Sequence, residues 1–149
     1  MSYRPYAAII SEAISSNSKL FSSMKNSSGS TILALQPVCS DSFGDIKAVD
    51  ISQDSDAIKI LGLAIAAIPD TTSGDVITSG RLLAVSTSFS QGDFLYVSKA
   101  GLLTNIAPSE GVDSFVSGDF VIRVGIVVKN AITPSNKDII INVQIMGKL

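Results

Sequence analysis

The chain has no histidine, no tryptophan and a single cysteine in 149 residues, and these absences remove most of the chemistry a small protein can carry. Without histidine there is no Ser-His-Asp triad, no Cys-His pair and no imidazole metal ligand. One cysteine closes no internal disulfide and forms no CxxC site. Cys39 is therefore expected as a small buried residue rather than a nucleophile. Charge is scarce too, with Lys+Arg 11 against Asp+Glu 13 and a formal net charge of -2. The cations are scattered, so there is no basic patch to neutralise phosphates, and nucleic acid is not an expected partner.

Long hydrophobic runs are also missing. The longest, over 60–68, is far short of the roughly 20 residues that span a bilayer, so no membrane segment is expected. The apolar AAII at 7–10 is followed at once by Glu12 and a polar stretch, which is not a secretory signal. The product is expected in the cytoplasm of the cell that makes it, in keeping with the lone cysteine.

What is present is apolar: 46% of residues are hydrophobic and only 16% charged, with a mean hydropathy of +0.41. Solubility must then come from hydroxyls and amides, or from burying apolar surface against other subunits. Residues 1–30 carry ten serines and read as an arm preceding a domain over 31–149. A short helix around 7–14 would set Ile10 and Ile14 on one face; the alternative is an extended segment ordered against a neighbour. Its large apolar side chains make Tyr3, Arg4, Pro5, Tyr6, Ile9 and Ile10 the candidate partner-binding residues.

After residue 30, short runs rich in Ile and Val alternate with Gly, Pro, Asp and Ser. Strands are expected near 31–38, 46–51, 58–68, 75–78 with 81–86, 94–98, 101–104, 120–129 and 138–146. Turn signals every 8–12 residues mark an all-β fold, a small β-barrel or β-sandwich of about eight short strands with an extended N-terminal arm. In 120–129, Ile122, Val124, Ile126 and Val128 are expected to face the core, and Gly125 to mark a bulge, a barrel bend or the close approach of another backbone. In the last strand Ile139, Ile141, Val143 and Ile145 should face inward, leaving Ile140 and Met146 in an outward row open to a partner.

One turn pattern recurs, at Gly74-Asp75, Gly92-Asp93 and Gly118-Asp119. Glycine supplies a positive φ and aspartate accepts backbone N–H groups before the strand begins. A divalent-cation ligand or an adhesive Gly-Asp loop is the competing reading. Gly101 is expected to close a hairpin at 99–101.

Carboxylates are the only catalytic elements left. Asp50, Asp54 and Asp56 lie close together, yet the glycine and terminal glutamate of a calcium loop are missing. A solvated loop is the expected role, weak cation binding or a paired-carboxylate hydrolase the alternatives. Neither GxGxxG nor GxxxxGK[ST] occurs, so no cofactor, catalytic or metal site is assigned and no enzyme is expected. Tyr96 and Phe89 are the nearest approach to a sugar-stacking platform, and packing accounts for both more simply.

The succession KILGLAIAAIPDTTSGDVITSGRLLAV (59–85), FSQGDFLYVSKAGLLT (89–104), GDFVIRVGIVVKN (118–130) and KDIIINVQI (137–145) resembles the small all-β virion proteins of tailed bacteriophages, above all capsid decoration, or cement, proteins. Gly62-Leu63-Ala64, Gly80, Gly92-Asp93 with Tyr96-Val97, Gly101 and Gly125 carry the likeness, which covers about 26–147. The serine-rich arm is its main departure. The resemblance implies a non-enzymatic structural protein on the capsid exterior, a homotrimer whose partner is the major capsid protein or another virion protein. Comparable domains also form knobs on head and tail fibres, and in that alternative the partner would be a host-surface glycan.

Overall fold

The computed structural model describes residues 19–149. Within them nine strands form one curled antiparallel sheet, a half-barrel, with a single helical turn. In chain order these are β1 (Lys19–Lys25), β2 (Pro37–Ser40), β3 (Ile46–Ala48), α1 (Asp54–Ala57), β4 (Ile60–Ala64), β5 (Ser73–Val85), β6 (Phe94–Val97), β7 (Leu103–Thr104), β8 (Phe120–Lys129) and β9 (Lys137–Lys148). The all-β expectation therefore holds. Strands follow the order β3-β2-β4-β5-β9-β8-β6-β7, and β1 pairs with β5 off that path.

The long strand β5 organises the rest. At Val76 and Ile77 it pairs with β1 on one edge and at Ile77 with β4 on the other; at Ser79 and Gly80 it still pairs with β1, but the opposite edge has passed to β9. Two sheet halves thus diverge from one strand, and the core fills the angle between them. The expected break between 75–78 and 81–86 does not occur. Gly80 takes φ +104° while remaining paired on both sides, so it bends the strand instead of ending it.

Two hydrophobic clusters explain why 60–68 reads as an unbroken apolar run. Cys39, Leu63 and Ile77 point into the main core, whereas their neighbours Val38, Ala64 and Val76 point into a second, smaller cluster with Ile32, Ile46 and Ile68. Strands covered on both faces need no polar alternation. The smaller cluster lies under the connection out of the arm. There Asn26 is fully buried, and its side-chain amide donates to Ser30 O at 2.7 Å and Ile68 O at 2.8 Å.

The serine-rich segment is thereby divided. Residues 1–18, with the helix expected at 7–14 and the partner residues Tyr3 to Ile10, lie outside the described residues, while 19–30 belong to the sheet as β1 and its anchor. The strand expected at 31–38 is mostly a turn. Gln36 N–H reaches Leu33 O, Leu33 N–H donates to the Gln36 side chain at 2.8 Å, and only an isolated bridge joins Ile32 to Ile68.

Gly125 meets its expectation in full. The β8–β9 register shifts between Arg123 and Gly125, and a Cβ on Gly125 would stand 2.1 Å from Ile140 O. That shift reverses the parity of the second half of β8, so Val127 is buried with Ile122 and Val124 while Ile126 and Val128 turn outward. Ile145 is likewise a correction. It is 45% exposed although it lies opposite buried Ile122, between the two β8–β9 irregularities, whereas Ile139 and Ile141 are buried as expected.

Of the three expected Gly-Asp turns, two form. Gly92 and Gly118 have φ of +88° and +91°, and the aspartate after each accepts the N–H three residues before it, Ser90 to Asp93 and Val116 to Asp119, both at 2.9 Å. Gly74-Asp75 instead lies inside β5 opposite Met24 and Ser23. The chain has already reversed at 69–72, where Thr72 N–H bonds Pro69 O. Gly101 closes the β6–β7 hairpin as expected, with φ +78° and its N–H on Ser98 O at 2.9 Å.

Candidate interaction surface

The acidic trio is pulled apart by its surroundings. Asp50 folds back on its own turn and accepts the Ser52 hydroxyl and N–H, which lower its pKa. Asp54 is exposed and bonds Lys148 Nζ at 2.9 Å. Asp56 is buried, paired with Lys47 at 2.9 Å, and accepts the Asp50 N–H. Each carboxylate thus has its own partner and its own structural task. Among the described residues no group of three or more Cys, Asp or Glu is placed to hold a metal ion.

Cys39 is fully buried, and burial reinforced by the nearby Asp56 pushes its thiol up to about 12. A thiol so protonated is a poor nucleophile at neutral pH. Phe89 packs against the main core. Lys99 turns from its hairpin to Asp119, 2.7 Å away, tying the β6–β7 turn to the Gly118-Asp119 turn.

What the fold does assemble is an apolar sheet face. Because β8 changes parity at Gly125, its outward Ile126 lies opposite Phe94 of β6 and Ile140 of β9, and Ile140 lies opposite Arg81 of β5. The row Phe94, Ile126, Ile140 crosses three strands. Phe94 is 46% and Ile140 37% exposed, and Met146, 54% exposed, stands further along β9. No protein-family model and no curated protein matches the chain.

Charge on this face is confined and spoken for. The Arg123 guanidinium stacks 4.8 Å over the Phe94 ring and donates to the side-chain oxygen of Gln144. Arg81 is committed to Asp138 at 2.7 Å. Between the strands lies a shallow depression of about 120 Å³ lined by Phe94, Arg123, Gly125, Ile126, Ile140 and Asn142. A rigid sheet with an aromatic held by a stacked cation, flanked by aliphatics and short of free charge, has the make-up of a protein contact surface.

Sequence alternation finds Ile140 and Met146 of this strip. Phe94 has a signal that alternation also offers, since Leu95 and Val97 are buried and Phe94 must then point the other way. Ile126 is invisible to it, because the bulge that turns Ile126 outward depends on β9.

Proposed function

We propose that the chain is a non-enzymatic structural protein of a tailed-bacteriophage virion that binds the outer capsid surface and stabilises the head, assembled as a homotrimer. The observation that carries this reading is the apolar face of β6, β8 and β9, continuous across three strands on a molecule with few charges. Such a face is stable in water chiefly when another protein covers it. The resemblance adds the virion setting. Its glycines at 62 and 125 are those a side chain would drive into Ile77 O and Ile140 O, so the residues that carry the likeness are also those that let the sheet curl.

On a capsid each copy removes a modest apolar area from water, and many copies acting on one lattice add to a large resistance to disruption. Purified protein added to heads that lack it should bind their exterior and raise the temperature at which they release DNA. Absence of binding, or binding with no gain in thermal resistance, overturns the role. A low-resolution map of the decorated particle separates a capsid position from a fibre tip, where a glycan-binding knob would sit.

A further inference from the structure

Arg123 is engaged on the β6–β8–β9 face only through uncharged groups. Its guanidinium lies over the Phe94 ring and donates to the side chain of Gln144, its partner across the β8–β9 ladder. The salt bridges among the described residues are all made by other cations, Lys47, Arg81, Lys99 and Lys148. Arg123 is thus fixed in position while its charge has no counterion, and most of its N–H donors are unused.

The depression beside it offers a second polar group. Asn142 lines it together with Arg123, and its side-chain amide has no hydrogen-bond partner among the described residues. The other walls are Phe94, Ile126 and Ile140, with Gly125 between them. A guanidinium and an amide therefore share one small hollow whose remaining side chains are apolar.

This lining selects the chemistry of what covers it. A second copy meeting the face through the same face would bring Arg123 towards Arg123, with no carboxylate among the residues lining the hollow to separate them. A hydroxyl or an amide from a partner would leave the charge uncompensated once water is excluded, which is costly. A carboxylate compensates it and takes up two guanidinium donors side by side, and the Asn142 amide has a further N–H to give. Because the ring and Gln144 already hold Arg123, little side-chain freedom is lost on binding.

We propose that Arg123 is the anchor of the β6–β8–β9 face, and that the surface it docks belongs to a different protein presenting an aspartate or glutamate side chain in apolar surroundings. The carboxylate enters the depression and pairs with the guanidinium. The proposal rests on the reading of this face as a contact surface and names the partner group that reading leaves open.

The deciding measurement is NMR on the isotope-labelled full chain, titrated with glutamate blocked at both ends, whose only charge is the side-chain carboxylate, and with blocked glutamine, its neutral analogue. Blocked glutamate should shift the Arg123 Nε–H and the Asn142 side-chain amide saturably, and blocked glutamine should not. Arg81, already bonded to Asp138, should stay still. No shift at Arg123, equal shifts with the two probes, or equal shifts at the two arginines overturns the proposal. The second arm uses heads that lack the protein. Arg123→Gln should bind them at least about tenfold more weakly than the parent chain, and Arg123→Lys, which keeps the charge and loses the planar fork, should fall between the two. If Arg123→Gln instead lowers the oligomeric state in sedimentation, the carboxylate belongs to a second copy and the proposed partner is overturned. Equal binding of parent and Arg123→Gln overturns the anchor and leaves the capsid role standing. A parent chain that does not bind heads, with the shifts at Arg123 intact, overturns the capsid role and supports the anchor.

Discussion

Gly125 and Gly92 are both glycines in or beside strands, and the structure asks opposite things of them. At Gly125 the obstacle is a backbone carbonyl, Ile140 O, 2.1 Å from the place a Cβ would take, and a ladder carbonyl has nowhere to retreat. At Gly92 there is open space and only φ +88° to accommodate. Gly125→Ala should cost about 3 kcal/mol and Gly92→Ala about 1 kcal/mol, read as shifts of the urea midpoint at constant slope; equal costs would refute the close-approach argument. Asp138 is the residue where charge decides most. Burial by itself would raise its pKa, but the Ala84 N–H, the Asn130 amide and the Arg81 guanidinium outweigh burial and hold it below the ordinary 3.8. A carboxylate with a depressed folded pKa adds stability above its unfolded value and loses it as pH falls through the folded one. Asp138→Ala should therefore destabilise by about 3 kcal/mol at pH 7, with the gap to the parent protein narrowing below pH 4. A gap that stays constant down to pH 2 would mean the carboxylate is not ionised in the fold.

β1 shows what an element's own composition can hide. KLFSSMK has two adjacent serines and no alternation that a core requires, and its side chains are mostly exposed. Its place in the sheet comes from β5, whose edge needs a partner, and from Asn26, which closes the exit of the strand by bonding Ser30 and Ile68 and by accepting the Ser28 N–H at 3.0 Å. Replacing Asn26 by Ala removes the two hydrogen bonds that its buried amide donates to Ser30 O and Ile68 O and the one it accepts from Ser28 N–H, at a cost of about 2 kcal/mol. Hydrogen exchange should rise first in β1 and in 26–32, and a loss spread evenly over the sheet would contradict the local role. The same dependence on neighbours sets what was legible elsewhere. Strands whose own residues alternate over one buried face, such as 94–97 and the stretch 139–142 of β9, follow from alternation alone. Two-faced burial turned 60–68 into a run whose ends could not be placed, and the bulge at Gly125 inverted Ile126, Val127 and Val128, because registers are agreed between strands that lie far apart in the chain. For the contact face this means that Ile140 and Met146 are readable and Ile126 is not.

On the scale of the whole molecule, scarcity of charge and excess of apolar surface meet on the outer side of β6, β8 and β9. The ion pairs Lys47–Asp56, Arg81–Asp138 and Lys99–Asp119, each on a buried carboxylate, commit cations from a set that is already small, so the outer face depends on Arg123 and on amides for its contact with water. A substitution there should separate stability from association. Ile140 is partly exposed and its outward side chain supports no core residue, so Ile140→Glu should change the urea midpoint by no more than about 0.5 kcal/mol equivalent. The glutamate would sit in the middle of the proposed contact face, where a carboxylate is costly to desolvate. Association should therefore fail while folding survives: sedimentation should report a smaller species than the parent protein, and heads lacking the protein should no longer retain it. Ile132→Glu is the matched control, a 91% exposed aliphatic in the turn between β8 and β9, away from the strip. It should behave as the parent in both measurements. If the two variants bind particles equally well, the β6–β8–β9 face is not the contact surface, and the attachment of this protein must be sought in the segment that precedes β1.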